Sequence, residues 1–417
     1  MPAALLLAAL ALPLSDVLVV APTGAPYATL QQAVDAAQDG DVVLIRAGTY
    51  GGCVVDSKSV ALVADVPGAV TLTTPTTLRN LDPTEAVTLA GVNVRPTNGG
   101  GVRVLSNQGA VRLIALGSVP PVAADTLMHA VEVSASTDVA LLGCDLSGGS
   151  SSGAFPSLPG AGLSVWDSRV TLHDTALVGG RGSDAQYVGA GGSSSPALAG
   201  AAGCIVEGAS EVHCAGSRCV GGEGGRGLAG LCAPFVVSGG AGASGGPGLR
   251  IEPAATVRVQ DSVLLGGVGG PGGAGGAPCG TAAGSVGPTG DPVVGQSSAL
   301  PGATRRLRAP THVRELTSLS IEVVGAPGER AFLQVGSDTQ WAFAPALGGV
   351  RLVGDTSRRL SLGTVPSSGV LLVALPIPDL GPGVAGVWNH LQVFAVDSSG
   401  AIRIGGAREV VLLDAAF

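Results

Sequence analysis

VTLAGVNV (Val87–Val94), VALLGCDL (Val139–Leu146) and VTLHDTAL (Val170–Leu177) are three writings of one pattern. It runs Val, any residue, an apolar residue, any residue, Gly or Asp, a small residue, any residue, an apolar residue. VHCAGSRC from Val212 and VRVQDSVL from Val257 repeat it, and VRLIALGS from Val111 is a looser copy. A pattern that returns in fixed register over tens of residues signals stacked supersecondary units. Within each copy the first and third residues alternate with outward ones, the period of a half-buried strand. Leu89, Leu113, Leu141, Leu172, Cys214 and Val259 form the third-position series. A turn pair follows, such as Asp174–Thr175 or Asp261–Ser262. A second short strand then brings Leu146, Leu177, Cys219 or Leu264 inward.

A further strand precedes five of the copies: GVRV from Gly101, AVEV from Ala130, GLSV from Gly162, GCIV from Gly203 and GLRI from Gly248. Each unit is therefore three short strands joined by bends, and only stacking can bury its apolar face. The copies begin at 87, 111, 139, 170, 212 and 257, so the period lengthens along the chain. The extra residues are the inserts Gly149–Ala161, Gly179–Ala202, Gly221–Pro247 and Gly266–Leu300. They are rich in Gly, Ser and Pro and fall at one place in the unit, so they project from one edge of the stack. Their composition permits disorder or tightly packed glycine turns.

The 417 residues provide a large core and more than one domain. An apolar content of 46% excludes a disordered chain despite 68 glycines. Aromatic residues are only 3% and the net charge is −8, which disfavours base-stacking platforms and phosphate-backbone binding, so no nucleic-acid partner is expected. The apolar run Pro2–Leu14 is too short to span a bilayer and reads as the hydrophobic part of a secretory signal, residues 1–15, with a first apolar strand as the alternative. No later stretch reads as transmembrane. Residues 16–300 hold the repeats, and 301–311 read as a linker with a basic patch at Arg305, Arg306 and Arg308. Residues 312–417 alternate short strands with turns and contain Trp341 and Trp388, as an antiparallel sandwich would.

Cys232 and Cys279 occupy matching places in successive inserts, 20 and 22 residues after Val212 and Val257, so loops stacked on one edge would join them in a disulfide. Cys204, Cys214 and Cys219 sit at inward positions of one rung, as a pair or as small core thiols, and Cys144 is expected as a buried thiol. No Cys/His spacing suggests zinc.

The segment PTGAPYATLQQAVDAAQDGDVVLIRAGTY (Pro22–Tyr50) resembles the N-terminal cap of right-handed parallel β-helix proteins of the pectin-lyase-like class. Thr29, Leu30, Gln31, Ala33, Val34 and Ala37 match the capping helix, Gly40–Asp41 the lead into the first strand, and Gly48–Tyr50 the turn after it. Leu30, Ala33, Val34 and Ala37 also make one apolar stripe at helical spacing. With the repeats, the resemblance implies an all-β chain: a right-handed parallel β-helix with an N-terminal capping helix. The C-terminal segment is similar to the small antiparallel β-sandwich that follows β-helices in some secreted bacterial proteins. The class holds lyases, hydrolases, esterases, adhesins and chains of no known activity, so the fold does not choose among them.

Lyases of that class hold calcium with clustered aspartates beside an arginine base, because calcium demands converging oxygen ligands. Here Glu132, Asp145, Glu207 and Glu211 share no register, and Asp174 and Asp261 share one at a turn, where Asp is a turn former. Arg95–Pro96 matches a fragment of the lyase arginine motif without its second arginine. The paired aspartates of hydrolases are absent. His173 adjoins Asp174, and His213 lies outward one strand on, both expected as solvated residues with no nucleophile beside them. The catalytic candidates are therefore Glu132, Asp145, His173, Asp174 and His213, and calcium is implied only under the lyase reading. The sequence favours a secreted or envelope-associated bacterial scaffold or adhesive module over an enzyme. The alternatives are a polysaccharide lyase or hydrolase acting in the groove, and a glycan-binding protein that does not cleave, for which Trp166 could stack on a sugar or else cover a rung corner. The expected partners are extracellular polysaccharide or cell-surface components.

Overall fold

The structure, a computed structural model, describes residues 15–95, 100–118, 128–151, 158–188, 193–232, 236–276 and 279–417. The run 2–14 and Pro96 lie outside them. Three parallel sheets wind as a right-handed β-helix, with ten, eight and eight strands. The repeat register of the sequence is the pairing register: Val87, Val111, Val139, Val170, Val212 and Val257 are successive cross-strand partners in the ten-stranded sheet. Their inward side chains, with those of the other two sheets, form one continuous core. Helix α1 (Leu30–Ala36) buries Leu30, Ala33 and Val34 on the first coil, with Thr29 as its N-cap.

The Gly-or-Asp position of the pattern has a backbone reason. Gly91, Ala115, Gly143, Asp174, Gly216 and Asp261 all take positive φ, between 46° and 73°, to turn the chain from one sheet into the next. The small residue after it points inward and forms a polar ladder. The backbone N–H of Cys144 donates to Thr175 Oγ1, that of Thr175 to Ser217 Oγ, and that of Ser217 to Ser262 Oγ. A second ladder joins Asn107, Ser136, Ser168 and Ser210 in the same manner at another corner. Cys53, Cys144, Cys204, Cys214 and Cys219 are free and buried. Burial pushes the Cys144 thiol up to about 11, which makes it a packing residue and not a nucleophile.

The described residues of the glycine-rich inserts 179–202, 221–247 and 266–300 are not simple turns. They run out from the coil and back as extended segments in two layers. The N–H groups of Gly221, Gly224, Gly227 and Gly230 donate to the carbonyls of Leu265, Val268, Pro271 and Ala274 at 2.7–2.9 Å. Across the layers Gly222 donates to Ala201, Gly246 to Gly222, Gly267 to Gly246 and Gly290 to Gly267. A three-residue period with every bond made between segments is polyproline II geometry. Glycine is obligatory at the contacts: a Cβ on Gly225, Gly270 or Gly284 would lie 1.8–1.9 Å from a neighbouring carbonyl oxygen. Cys232 and Cys279 form a disulfide, with Cα atoms 5.5 Å apart, between two of these segments.

The C-terminal part is a sandwich of a five-stranded and a three-stranded sheet, antiparallel except where His312–Arg314 runs parallel to the last strand. It has its own core around Leu319, Ile321, Leu333, Leu391 and Val410. The stretch read as a linker already contributes a strand, Arg306–Arg308, to the smaller sheet. Its basic patch is not free either. Arg305 pairs with Glu329 in the interior, and Arg306 and Arg308 both reach Asp174 at 3.6 Å.

The sandwich covers the outward face of the ten-stranded sheet. Val42, Leu44, Ala61, Val63, Ala90, Ile114, Ala140 and Leu142 share a core with Val350, Leu352, Ala407, Val411 and Leu413. This sheet is thus buried on both faces, which explains its unbroken apolar runs such as DVVLI and VALVA. Arg112 lies inside this interface, 2% exposed, and donates to both carboxylate oxygens of Asp138 at 2.6 and 2.9 Å. Glu409 of the sandwich is 3.7 Å away and also receives Trp388 Nε1 and Thr88 Oγ1. Burial opposes ionisation of Glu409, but His390, Arg112 and Thr88 outweigh it and hold its carboxyl below the usual range. Removing one member leaves a buried charge unpaired, so Arg112→Ala should cost about 3–5 kcal/mol in chemical denaturation. Gly270→Ala should leave the coil folded but open the glycine layers, seen as faster proteolysis within residues 221–292.

Candidate functional site

The five sequence candidates are not one site. Glu132 faces outward on the second sheet, in the strand Val131–Ser134, 3.5 Å from Arg103. Asp145 is exposed on the third sheet. His173, Asp174 and His213 belong to the first sheet, under the sandwich. Asp174 is the left-handed turn residue, φ 51°, tied to Arg306 and Arg308.

His173 and His213 are not solvated; they are 5% and 2% exposed. A Cβ on Gly406 would lie 2.8 Å from the His173 ring, and the His213 ring lies 6.0 Å from that of Phe343. The outward face on which the sequence places them is the face that the sandwich covers. None of their four ring nitrogens has a hydrogen-bond partner among the described residues. Burial first, then Arg408, His213 and Arg306, depresses His173 to about 3. Burial and Arg258 bring His213 to about 4. Both are neutral at neutral pH and packed away from solvent, which leaves them no path to a substrate.

The open site lies on the second sheet. The outward positions of its aligned strands are Arg103, Glu132, Ser164, Ile205 and Arg250 in one row. Leu105, Ser134, Trp166 and Glu207 form the next. Ser164, Ile205, Glu207 and Arg250 of this wall meet Leu158, Pro159 and the returning glycine-rich segments, Leu198–Ala202 and Pro247, around a cavity of about 490 Å³. That volume falls within the range of small-molecule sites. His129 closes one end. Its Nδ1 accepts the Ala161 N–H at 3.0 Å, which places the ring proton of the neutral form on Nε2. Burial lowers the His129 pKa against the opposing pull of Glu132 and Glu207. Glu207 is engaged by Arg250 at 2.7 Å. Trp166, the cross-strand partner of Glu207, is half exposed beside the cavity's charged wall.

Of the sequence candidates only Glu132 belongs to this wall, as the cross-strand neighbour of Ser164 beside the cavity rather than on its lining. His129, Ser164, Glu207 and Arg250 were not read as a group. The signal for Ser164 and Arg250 lay in the strands that precede each repeat, such as GLSV and GLRI, whose third residues are the outward row. Among the described residues no three His, Cys, Asp or Glu side chains converge to hold a metal ion. No described helix is long and apolar enough to cross a membrane.

No protein-family model and no curated protein matches this chain. Among solved structures, the pectate lyase Pel9A is similar over 61% of this chain and 77% of its own, with 10% identity and a TM-score of 0.31. The enzymatically active domain of tailspike protein 2 from bacteriophage CBA120 is similar over 97% of this chain and 72% of its own, at 9% identity and a TM-score of 0.26. The full-length tailspike protein 2 from an Escherichia coli O157:H7 bacteriophage covers 95% and 64%, at 9% identity and a TM-score of 0.25. The fold of this chain rests on its own sheets and their registers.

The two neutral histidines tie stability to pH. Unfolded, each titrates near 6.5. Below that pH the unfolded chain binds protons that the folded chain refuses, so stability present above 6.5 is lost as pH falls toward 4 and then 3. The melting temperature should therefore drop between pH 6.5 and 5. The drop should shrink in the His173→Leu, His213→Leu double variant, measured by calorimetry at matched ionic strength.

Proposed function

We propose that this chain is an extracellular adhesive scaffold that holds a glycan in the groove of its second sheet without cleaving it. The observation that carries this reading is the state of the groove's carboxylates. Glu207 is ion-paired with Arg250 and Glu132 with Arg103, so neither stands as the free acid of a hydrolytic pair. The same pairs offer what a sugar hydroxyl array needs: fixed donors and acceptors on a rigid wall, with the half-exposed indole of Trp166 as a stacking face. The rigidity comes from the stack of coils, and the disulfide Cys232–Cys279 supports an oxidising compartment outside the cytoplasm. Secretion, a bacterial envelope location and the export role of residues 1–15 belong to this proposal.

The test is a panel of acidic and neutral polysaccharides presented to the purified chain, with and without calcium. The readouts are retention on insoluble glycans, new reducing ends and unsaturated products absorbing in the ultraviolet. Retention without new ends, weakened about tenfold by Trp166→Ala, supports the proposal. Release of unsaturated or reducing products that disappears in Glu132→Gln or Glu207→Gln would replace it with the lyase or hydrolase reading. Indifference to every glycan would leave a structural role alone.

A further inference from the structure

A cavity of about 270 Å³ lies between coil and sandwich, where the residues leading into the strands Asp41–Ile45, Val60–Ala64 and Ala86–Ala90 meet the sandwich strand Gly386–Val396. It shares no lining residue with the groove of the second sheet. His390, 5% exposed, lines it. This histidine is the last member of the buried chain Asp138, Arg112, Glu409 and His390. Its Nδ1 lies 2.6 Å from Glu409 Oε1. Glu409 is held ionised and can only accept, so the ring carries a proton on Nδ1. Nε2 then has no partner among the described residues. The chain of charges that fixes the docking of the sandwich thus ends on an oriented imidazole at a cavity.

The rest of the lining is mostly hydroxyl. Ser59 Oγ accepts the Ala86 N–H at 3.1 Å, which leaves its own proton free. The hydroxyls of Thr84 and Ser337 bond to nothing among the described residues. Trp388 Nε1 is engaged by Glu409 at 3.1 Å, so what this side chain offers the cavity is apolar surface. Asp39 is the one carboxylate on the lining, and no Lys or Arg accompanies it, which disfavours an anionic ligand.

We propose that this cavity is a second binding site, for a neutral hydroxylated molecule the size of one sugar ring. Small-molecule sites begin at about 300 Å³, so this one holds a single ring and not a chain. A hydroxyl both donates and accepts. It therefore suits Ser59, Thr84 and Ser337, and it suits His390 Nε2 whether the ring is neutral and accepts there or is charged and donates. The surface of Trp388 takes the apolar face of such a ring. The site stands apart from the groove, since it uses neither Trp166 nor the Glu207–Arg250 pair.

The experiment titrates glucose, galactose and mannose into the intact chain by isothermal calorimetry, with glucuronate as the anionic control. Thr84 is exposed, so Thr84→Trp fills the cavity from its rim without disturbing the core. His390→Gln is the second variant, and circular dichroism confirms that each variant keeps its fold. Saturable binding of at least one hexose supports the proposal if glucuronate does not bind, Thr84→Trp abolishes binding and His390→Gln weakens it about tenfold. That binding stays unchanged in Trp166→Ala. Absence of saturable binding, equal binding of glucuronate, or binding that survives Thr84→Trp overturns it. Hexose binding lost in Trp166→Ala would assign the sugar to the groove instead.

Discussion

A buried backbone N–H in this molecule must find an acceptor, and nearly everything else follows from how the chain meets that demand. In the coil each strand finds its partner one rung away, so strands at equivalent positions match in length and register. Insertions are tolerated only where they leave the stack together. In the inserts the same demand is met without β-structure: segments three residues per turn bond to neighbours on several sides, and close approach excludes any side chain at the contacts. Glycine is then a packing residue, required by carbonyls less than 2 Å from where a Cβ would stand at positions such as Gly225 and Gly270.

The union of coil and sandwich is of a different kind. Aliphatic side chains from both parts form a shared core, and within it sits the chain of charges Asp138, Arg112, Glu409 and His390. Such a group is costly to bury and more costly to break, so it favours one docking of the sandwich over others that would satisfy the apolar faces alike. The neutral pair His173 and His213 adds a condition on pH, because protonating either ring places a buried cation near arginines, Arg408 and Arg306 for His173 and Arg258 for His213.

The site on the second sheet uses the face the sandwich leaves open. Its wall is set by strand register and its far side by the glycine segments, so the two unusual features of the sequence, the repeat and the inserts, meet at one cavity. The Glu207–Arg250 pair is held at the cavity and Trp166 beside it by cross-strand pairing, which fixes their spacing without any loop.

The sequence by itself determined the coil: Val87 through Val257 named the register, the Gly-or-Asp position named the turn, and Leu30, Ala33 and Val34 named the cap. It also placed Cys232 opposite Cys279. These are local or periodic properties, and each copy of the repeat reports them again. What only the tertiary structure decided was which outward face remains outward. Alternation marks inside from outside for a single sheet, but it cannot say that a distant segment, residues 306–413, will cover one of the three outer faces. For that reason His173 and His213 read as surface residues and are core. Likewise Arg305 read as part of a basic patch and is a buried partner of Glu329, while Ser164, Ile205 and Arg250 of the outward row became a cavity wall only once the returning glycine segments stood across from them.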